Sequence, residues 1–353
     1  MRSPVASGGI VSYCINPKCP QRQQPDGLEQ CAACGTDLVV GDRYRLLRPL
    51  RELDDWSAAD IFEVADRDAF KVMKVLKQPK LRPPFEREAQ TLQRLHHPGI
   101  PEIEPDGYFI VTTATGQSLA CLVMEKIEGL TLEQWLDKHG PADQTQVQAW
   151  LRQACEILGL VHQSELFHRD IKLSNLMLRP NGQLALIDFG TVRQMSNTYL
   201  AKVGGQREVT SIVSPGYTPL EQINGKAVPQ SDFYALGRSL VHLLTGQHPV
   251  DLETDEATGA LIWRESAPQV DRWFAELIDD LMAPFPGQRP LNAQEIVRRL
   301  DAKPVKPSSN PDQIWVQALI GFNIALLLLH GLLGWRWVQT RSEPPRSPSI
   351  EQL

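Results

Sequence analysis

The chain has 353 residues, 42% hydrophobic and 22% charged, with a formal net charge of −6. That length allows about two domains on the usual prior, and the composition is that of a chain able to bury a core. The negative balance argues against nucleic acid as a main partner, and the start, "MRSPVASGGIVSYC", has no long apolar run of the kind a secretory leader carries.

Residues 1–40 are rich in Cys, Pro and Gln and poor in large apolar side chains. Cys14 and Cys19 are separated by four residues, and Cys31 and Cys34 by two, with 11 residues between the pairs. Two close pairs on tight turns can present four thiolates tetrahedrally to Zn²⁺, and Gly35 permits the turn after the last of them. So few apolar residues would hardly fold without such a staple. Structural Zn²⁺ is the expectation, since a reducing cytosol disfavours stable disulfides; a redox set or an unmetallated tail are the alternatives. Cys121 and Cys155 lie in apolar patterns and are predicted to be buried, inert thiols.

Residues 41–302 read as one globular domain. "RYRLLRPL", "DIFEVAD" and "AFKVMKVLK" alternate as three short strands. "FEREAQTLQRL" follows, with Phe85, Ala89, Leu92 and Leu95 at helical spacing. "GYFIVTT" and "SLACLVME" read as two further strands, and from residue 131 the pattern is mainly helical, interrupted by the short strand "ALIDFG".

Two segments stand out in the helical half: "FHRDIKLSN", Phe167–Asn175, and "LIDFG", Leu186–Gly190, with Asp170 and Asp188 18 residues apart. Upstream are Lys74 in "FKVMKVLK", Glu88 in the predicted helix and the segment "LVMEKIEG"; downstream are "SPGYTPLEQ", "SDFYALG" and "PGQRP". Taken together, the span from about Tyr44 to Leu300 resembles a bacterial serine/threonine protein kinase of the eukaryotic-like type. With the cysteine prefix, the likeness to the four-cysteine-prefix kinases of cyanobacterial type extends over roughly residues 10–302.

The resemblance implies an α+β, bilobal kinase fold, with an N-lobe over 41–127 and a C-lobe over 128–302. It implies ATP and Mg²⁺ (or Mn²⁺) as cofactors and proteins as substrates. Asp170 would accept the proton of the attacking hydroxyl, Lys172 would neutralise the transferred phosphoryl, and Asn175 and Asp188 would hold the metal. A lysine two residues after the aspartate is similar to the serine/threonine-specific members. Lys74 would grip the α- and β-phosphates with Glu88 holding it in place. Met124 would stand at the back of the adenine pocket, and the backbone of Glu125 to Ile127 would read the adenine edge. Glu221 and Arg289 would form a structural ion pair, and Asp232 would pin the catalytic loop. Arg169 would contact a phosphate on the activation segment, for which Thr210 and Ser211 are the candidate sites, while Ser214 would shape the substrate site.

The likeness breaks down between the first two strands. "LRPLRELDDWSAADIFEV", Leu47–Val64, contains no glycine, and Asp54 and Asp55 are predicted to place negative charge near a triphosphate. An active, autophosphorylating kinase is the reading taken forward. Its rivals are a pseudokinase scaffold and a redox-sensing regulator working through the cysteine prefix.

Residues 303–313, "KPVKPSSNPDQ", form a Pro/Ser linker. Residues 314–335 contain no Asp, Glu, Lys or Arg, and as a helix would extend roughly 33 Å, enough for a ~30 Å hydrocarbon core. With Trp315, Trp335 and Trp337 at its ends, this segment is expected to be a single-pass C-terminal membrane anchor, a buried soluble helix being the alternative. Residues 336–353 are a short polar tail. ATP dependence puts the kinase on the cytoplasmic side, no nucleic acid is expected as partner, and a homodimer is left open.

Overall fold

The computed structural model describes residues 11–194 and 213–302. The cysteine-rich prefix opens with an antiparallel hairpin of β1 (Ser12–Tyr13) and β2 (Gln23–Gln24). Cys14 donates its amide to Arg22 O at 2.7 Å, closing the first turn, and Gly35 at φ 71° closes the second after Cys34. That left-handed value suits glycine, as the spacing predicts. The prefix is not a separate body. Ile15 joins an apolar cluster with Tyr44, Leu46, Phe62, Val75 and Leu119 from the strands that follow.

Those strands are β3 (Val39–Val40), β4 (Tyr44–Pro49), β5 (Ala59–Asp66), β6 (Ala69–Leu76), β7 (Tyr108–Thr112) and β8 (Ser118–Glu125). They form one antiparallel sheet in the order β3-β4-β5-β6-β8-β7. The last five fall on the five predicted segments. β3 is too short for a period to show, and it consists of the last two residues of the prefix. Helix α1 (Arg82–Arg94) starts with prolines in its first turn, where the missing N–H is not needed. It buries Phe85, Ala89 and Leu92, and Glu88 with them. Registering Lys74 between Ile61 and Leu122 puts the lysine mid-sheet, on the face that meets α1.

The second lobe holds helices α2 (Leu132–His139), α3 (Gln144–Gln163), α4 (Leu220–Ile223), α5 (Pro229–Thr245), α6 (Arg272–Leu281) and α7 (Ala293–Asp301). Reciprocal capping boxes start α2 (Thr131 with Gln134) and α3 (Asp143 with Gln146). α5 is buried over nearly its whole length, which makes it the centre of this lobe. The short strand β9 (Leu130–Thr131) immediately precedes α2, and between α3 and α4 run β10 (Leu166–Phe167), β11 (Leu176–Leu178), β12 (Leu184–Leu186) and β13 (Arg193–Gln194). β11 pairs with both β9 and β12, and β10 with β13. These hairpins carry both motif loops at the lobe junction. Cys121 and Cys155 are buried as predicted. Among the described residues no helix is long and apolar enough to cross a membrane; the expected anchor, 314–335, lies outside them.

The rim of the sheet is tied by charges. Arg43 grips Asp66 through Nε (2.7 Å) and a terminal nitrogen (2.8 Å), and Lys71 lies 3.0 Å from the same carboxylate. Led by the Arg43 hydrogen bond, this set brings Asp66 down to about 2. A depressed carboxylate adds stability that is full above its unfolded pKa and is lost as pH falls through the folded one. The stability difference between wild type and Asp66→Asn, from urea titrations, is therefore expected to be full above about pH 4 and to vanish towards about pH 2. A difference that stays constant across that window contradicts this assignment.

Candidate active site

The junction between the lobes is built around one buried cation. Lys74 Nζ lies 2.5 Å from Glu88 Oε1 and 2.8 Å from Asp188 Oδ1. The three residues come from β6, α1 and the loop after β12, so this contact joins three elements. Burial alone would drive the Lys74 proton off, but the carboxylates of Asp188 and Glu88 outweigh it and hold the ammonium charged. In turn, Lys74 holds the Asp188 carboxyl far below its ordinary range. Asp188 has left-handed backbone, φ 67° and ψ 74°, a conformation costing about 1–3 kcal/mol for a non-glycine residue. Gly190 follows, and a Cβ there would stand 3.1 Å from Glu88 Oε2, so the glycine lets α1 approach.

The second motif folds into a loop between β10 and β11. Asn175 Nδ2 donates to Asp170 O (2.8 Å) and Asp170 Oδ2 (2.9 Å), and Lys172 Nζ lies 2.9 Å from Oδ2. Ser214 Oγ donates to Asp170 Oδ1 at 2.6 Å and accepts from Lys172 Nζ at 3.1 Å. The backbone of this loop is also strained, with Arg169 at φ 74°. Asp232, fully buried at the start of α5, compensates. Its two oxygens accept the amides of His168 (2.8 Å) and Arg169 (2.7 Å), and Oδ2 also meets His162 Nε2 at 2.9 Å. Gln222 Nε2 donates to Arg169 O at 2.7 Å from α4. Burial keeps the His168 ring uncharged, stacked edge-on against Phe189 at 5.0 Å.

Two buried polar atoms of this loop, His168 Nε2 and Asn175 Oδ1, have no hydrogen-bond partner among the described residues. An unpartnered buried carbonyl oxygen near the ionised Asp188 is the donor set a hard divalent cation prefers. The residues therefore fit Mg²⁺.

A cavity of about 640 Å³ opens between the lobes. Val72, Met124, Ile127, Met177 and Ile187 give it apolar walls, with Lys74 and Asp188 at its inner end. Glu125 N–H is already taken by Glu102 O at 2.7 Å, which leaves its carbonyl and the Ile127 backbone for a ligand edge. The side chains of this stretch are engaged elsewhere: Glu125 with Arg179, and Lys126 with Glu63 and Glu128, all at 2.7 Å.

The glycine-free segment between β4 and β5 departs from expectation in one respect. Asp54 is turned back into the segment: it accepts the Ser57 amide at 2.6 Å and lies 3.5 Å from Lys77 Nζ. Lys77 also meets Ser57 Oγ (2.8 Å) and Asp60 (2.9 Å). Asp60 in turn binds Arg22 at 2.6 Å, and Arg22 Nε donates to Cys14 O at 3.1 Å. A continuous polar chain thus runs from the first cysteine turn to the lid over the cavity. No motif announces it, since lone Arg, Asp and Lys residues read as solvated surface.

The four prefix cysteines come together. Their sulfurs lie within 4.8 Å of one another, with Cys14 to Cys34 at 3.6 Å and Cys19 to Cys31 at 3.5 Å. A zinc tetrahedron with ~2.3 Å bonds has sulfur edges of about 3.8 Å. All four are free thiols. Burial raises Cys19 to about 11, whereas at Cys34 the Thr36 hydrogen bonds overcome burial and bring it down to about 6.

Lys74, Glu88, Met124, Glu125, Ile127 and Asp188 thus line the cavities at the lobe junction, Asp170, Lys172 and Asn175 share the loop between β10 and β11, and Glu221 and Arg289 pair at 2.6 Å. Thr210 and Ser211 lie outside the described residues. Sequence reasoning missed Arg51, which reaches to 3.8 Å from Asp188 Oδ2, and His162, which shares Asp232.

The protein kinase domain family matches residues 61–300. Serine/threonine-protein kinase B of Synechocystis sp. is 31% identical over 317 residues, covering 82% of this chain and 52% of that protein. Serine/threonine-protein kinase C of the same organism is 36% identical over 263 residues, covering 71% and 48%. The chain therefore spans about half the length of these relatives. Among solved structures, the PknI kinase domain of Mycobacterium tuberculosis shares the fold, with a TM-score of 0.54 at 22% identity over 73% of this chain and 94% of that one.

The Asp232 geometry carries a prediction. Asp232→Ala leaves two buried amides without an acceptor and is expected to cost about 3 kcal/mol of stability, read as a fall in the urea midpoint. A loss under about 1 kcal/mol means that the loop holds its left-handed turn by other contacts.

Proposed function

The chain belongs to the protein kinase family, and from that premise we propose that it is a serine/threonine protein kinase using ATP to phosphorylate protein hydroxyls. One observation carries the reading: the Lys74–Asp188 pair lines the cleft, and the loop holding the Asp170–Asn175 pair is tied to the Asp188 loop by the Ile187 amide on Asn175 O at 2.9 Å, with Asn175 Oδ1 unpartnered among the described residues. Asp170 Oδ1 already accepts a hydrogen bond from an aliphatic hydroxyl, that of Ser214. A substrate hydroxyl offered to the same carboxylate would be aligned by it and would give up its proton to it as the new O–P bond forms and the bond from the γ-phosphorus to the ADP oxygen breaks, releasing ADP. Lys172, 2.9 Å away, steadies the charge on the Asp170 side, and Lys74 holds phosphate oxygens at the inner end of the cavity. Bound Mg²⁺ or Mn²⁺ would supply charge neutralisation for the phosphates, with Asn175 and Asp188 as its ligands.

Three further elements of the reading rest on narrower support. The four-thiol cluster holds structural Zn²⁺, for which the sulfur spacing is suited. Residues 314–335 anchor the chain in a membrane with the kinase cytoplasmic, supported by their uncharged apolar sequence. Phosphorylation of Thr210 or Ser211 would be received by Arg169, whose pKa is lowered to about 10 by burial and by the nearby Arg193. The glycine-free lid favours a second reading, a pseudokinase scaffold, and the thiol cluster a third, a redox-sensing regulator.

The test is transfer of label from γ-labelled ATP by the full chain, with Mg²⁺ or Mn²⁺, to itself and to a generic basic protein. Asp170→Asn is expected to lower transfer by about 100-fold or more, and metal analysis of the same preparation to find about one zinc per chain. No transfer by the wild type, together with no nucleotide-induced thermal shift, leaves the scaffold. A zinc-free cluster whose thiols oxidise reversibly leaves the redox regulator.

A further inference from the structure

The lid over the cavity, residues 50–58, has no glycine. It lacks the glycines whose bare backbone most readily lets amides approach phosphate oxygens closely. Some other group has to supply positive potential from above, and the lid's own charges decide which. Asp54 is occupied by Ser57 and Lys77, and Lys77 by Asp54, Ser57 and Asp60. Arg48, at the start of the turn, is paired with Glu63. Arg51 is different. It reaches inward to 3.8 Å from Asp188 Oδ2, while its side chain keeps 58% of its surface accessible.

Arg51 also lines both cavities at the lobe junction: the one of about 640 Å³ that holds Met124 and Ile127, and a second of about 430 Å³ behind Lys74 and Glu88. It therefore stands over the inner end of the cleft, opposite Lys74. Its contact with Asp188 is a full ångström longer than that of Lys74, at 3.8 against 2.8 Å. A guanidinium that is exposed, loosely paired and pointed at the phosphate end of a cleft is free to turn to a phosphate, which its planar fork can bind with two parallel hydrogen bonds.

Resting on the kinase reading, we infer that Arg51 binds the phosphates of the nucleotide and takes the place of the missing glycine amides. The lid works through a full side-chain charge where a glycine-rich turn works through backbone dipoles. Its contribution grows with the number of phosphates on the ligand and weakens with salt. Of the two aspartates predicted to oppose it, Asp54 is engaged inside the lid by Ser57 and Lys77.

The experiment is calorimetric titration of the full chain with Mg·ATP, Mg·ADP and adenosine, for wild type, Arg51→Gln and Arg51→Lys. Arg51→Gln is expected to weaken Mg·ATP by about 10- to 100-fold, Mg·ADP by less, and adenosine hardly at all. Arg51→Lys is expected to recover part of the loss. Unchanged Mg·ATP affinity in Arg51→Gln overturns the assignment. Equal weakening of Mg·ATP and adenosine also overturns it, because the arginine would then act on lid shape alone. A wild-type chain that binds none of the three ligands sinks the kinase reading itself, and this assignment with it.

Discussion

The architecture hinges on the ammonium of Lys74, buried between the carboxylates of Glu88 and Asp188. Removing three charges from water costs several kcal/mol per ion, and their mutual attraction offsets that only with close geometry. The contact therefore sets where α1 lies against the sheet and where the loop after β12 ends. The closeness needs Gly190 bare and Phe189 buried behind the loop. Removing Lys74 leaves two buried carboxylates without their cation, whereas removing Glu88 or Asp188 leaves the ammonium paired with the other carboxylate. The lysine is thus the shared member of the joint between the lobes.

A second constraint fixes the catalytic loop against the helical lobe. Arg169 is held in a left-handed turn that its side chain disfavours, and Asp232 stabilises it by accepting two consecutive amides. The strain turns the chain so that Asp170 faces Ser214 and Asn175 while the Arg169 carbonyl meets Gln222. Asp232 sits on α5, the most buried helix, so the precision of the loop is inherited from the core. Glu221 and Arg289 do the same for the segment after Ser214, tying it to the base of the lobe.

Much of this was legible in the sequence, for a physical reason. Asp170, Asn175 and Asp188 lie in short segments on either side of the β11–β12 hairpin, which fixes their separation along the chain as tightly as in space. The strand and helix periods of β4, β5, β6 and α1 were equally plain. The four cysteines could be paired because tight turns leave few options. What the sequence concealed were partner choices made by tertiary packing. Asp54 read as a repulsive charge near the phosphates, yet Lys77, from the far end of β6, draws it away. Arg22, Asp60 and His162 gave no local signal, since each finds its partner across dozens of residues. β3 was too short for any period to register.

The nucleotide site is then a familiar inner end, Lys74 with Asp188 and Asn175, under an unfamiliar lid. Whether that inner end works as a metal-assisted phosphate site is the claim on which everything else stands. The most direct measurement is calorimetric titration of ATP into the full chain with and without Mg²⁺, repeated with Lys74→Met. The account predicts one-site binding that tightens when Mg²⁺ is added and is largely lost in Lys74→Met. Binding that is absent, or indifferent to both Mg²⁺ and Lys74, would contradict it.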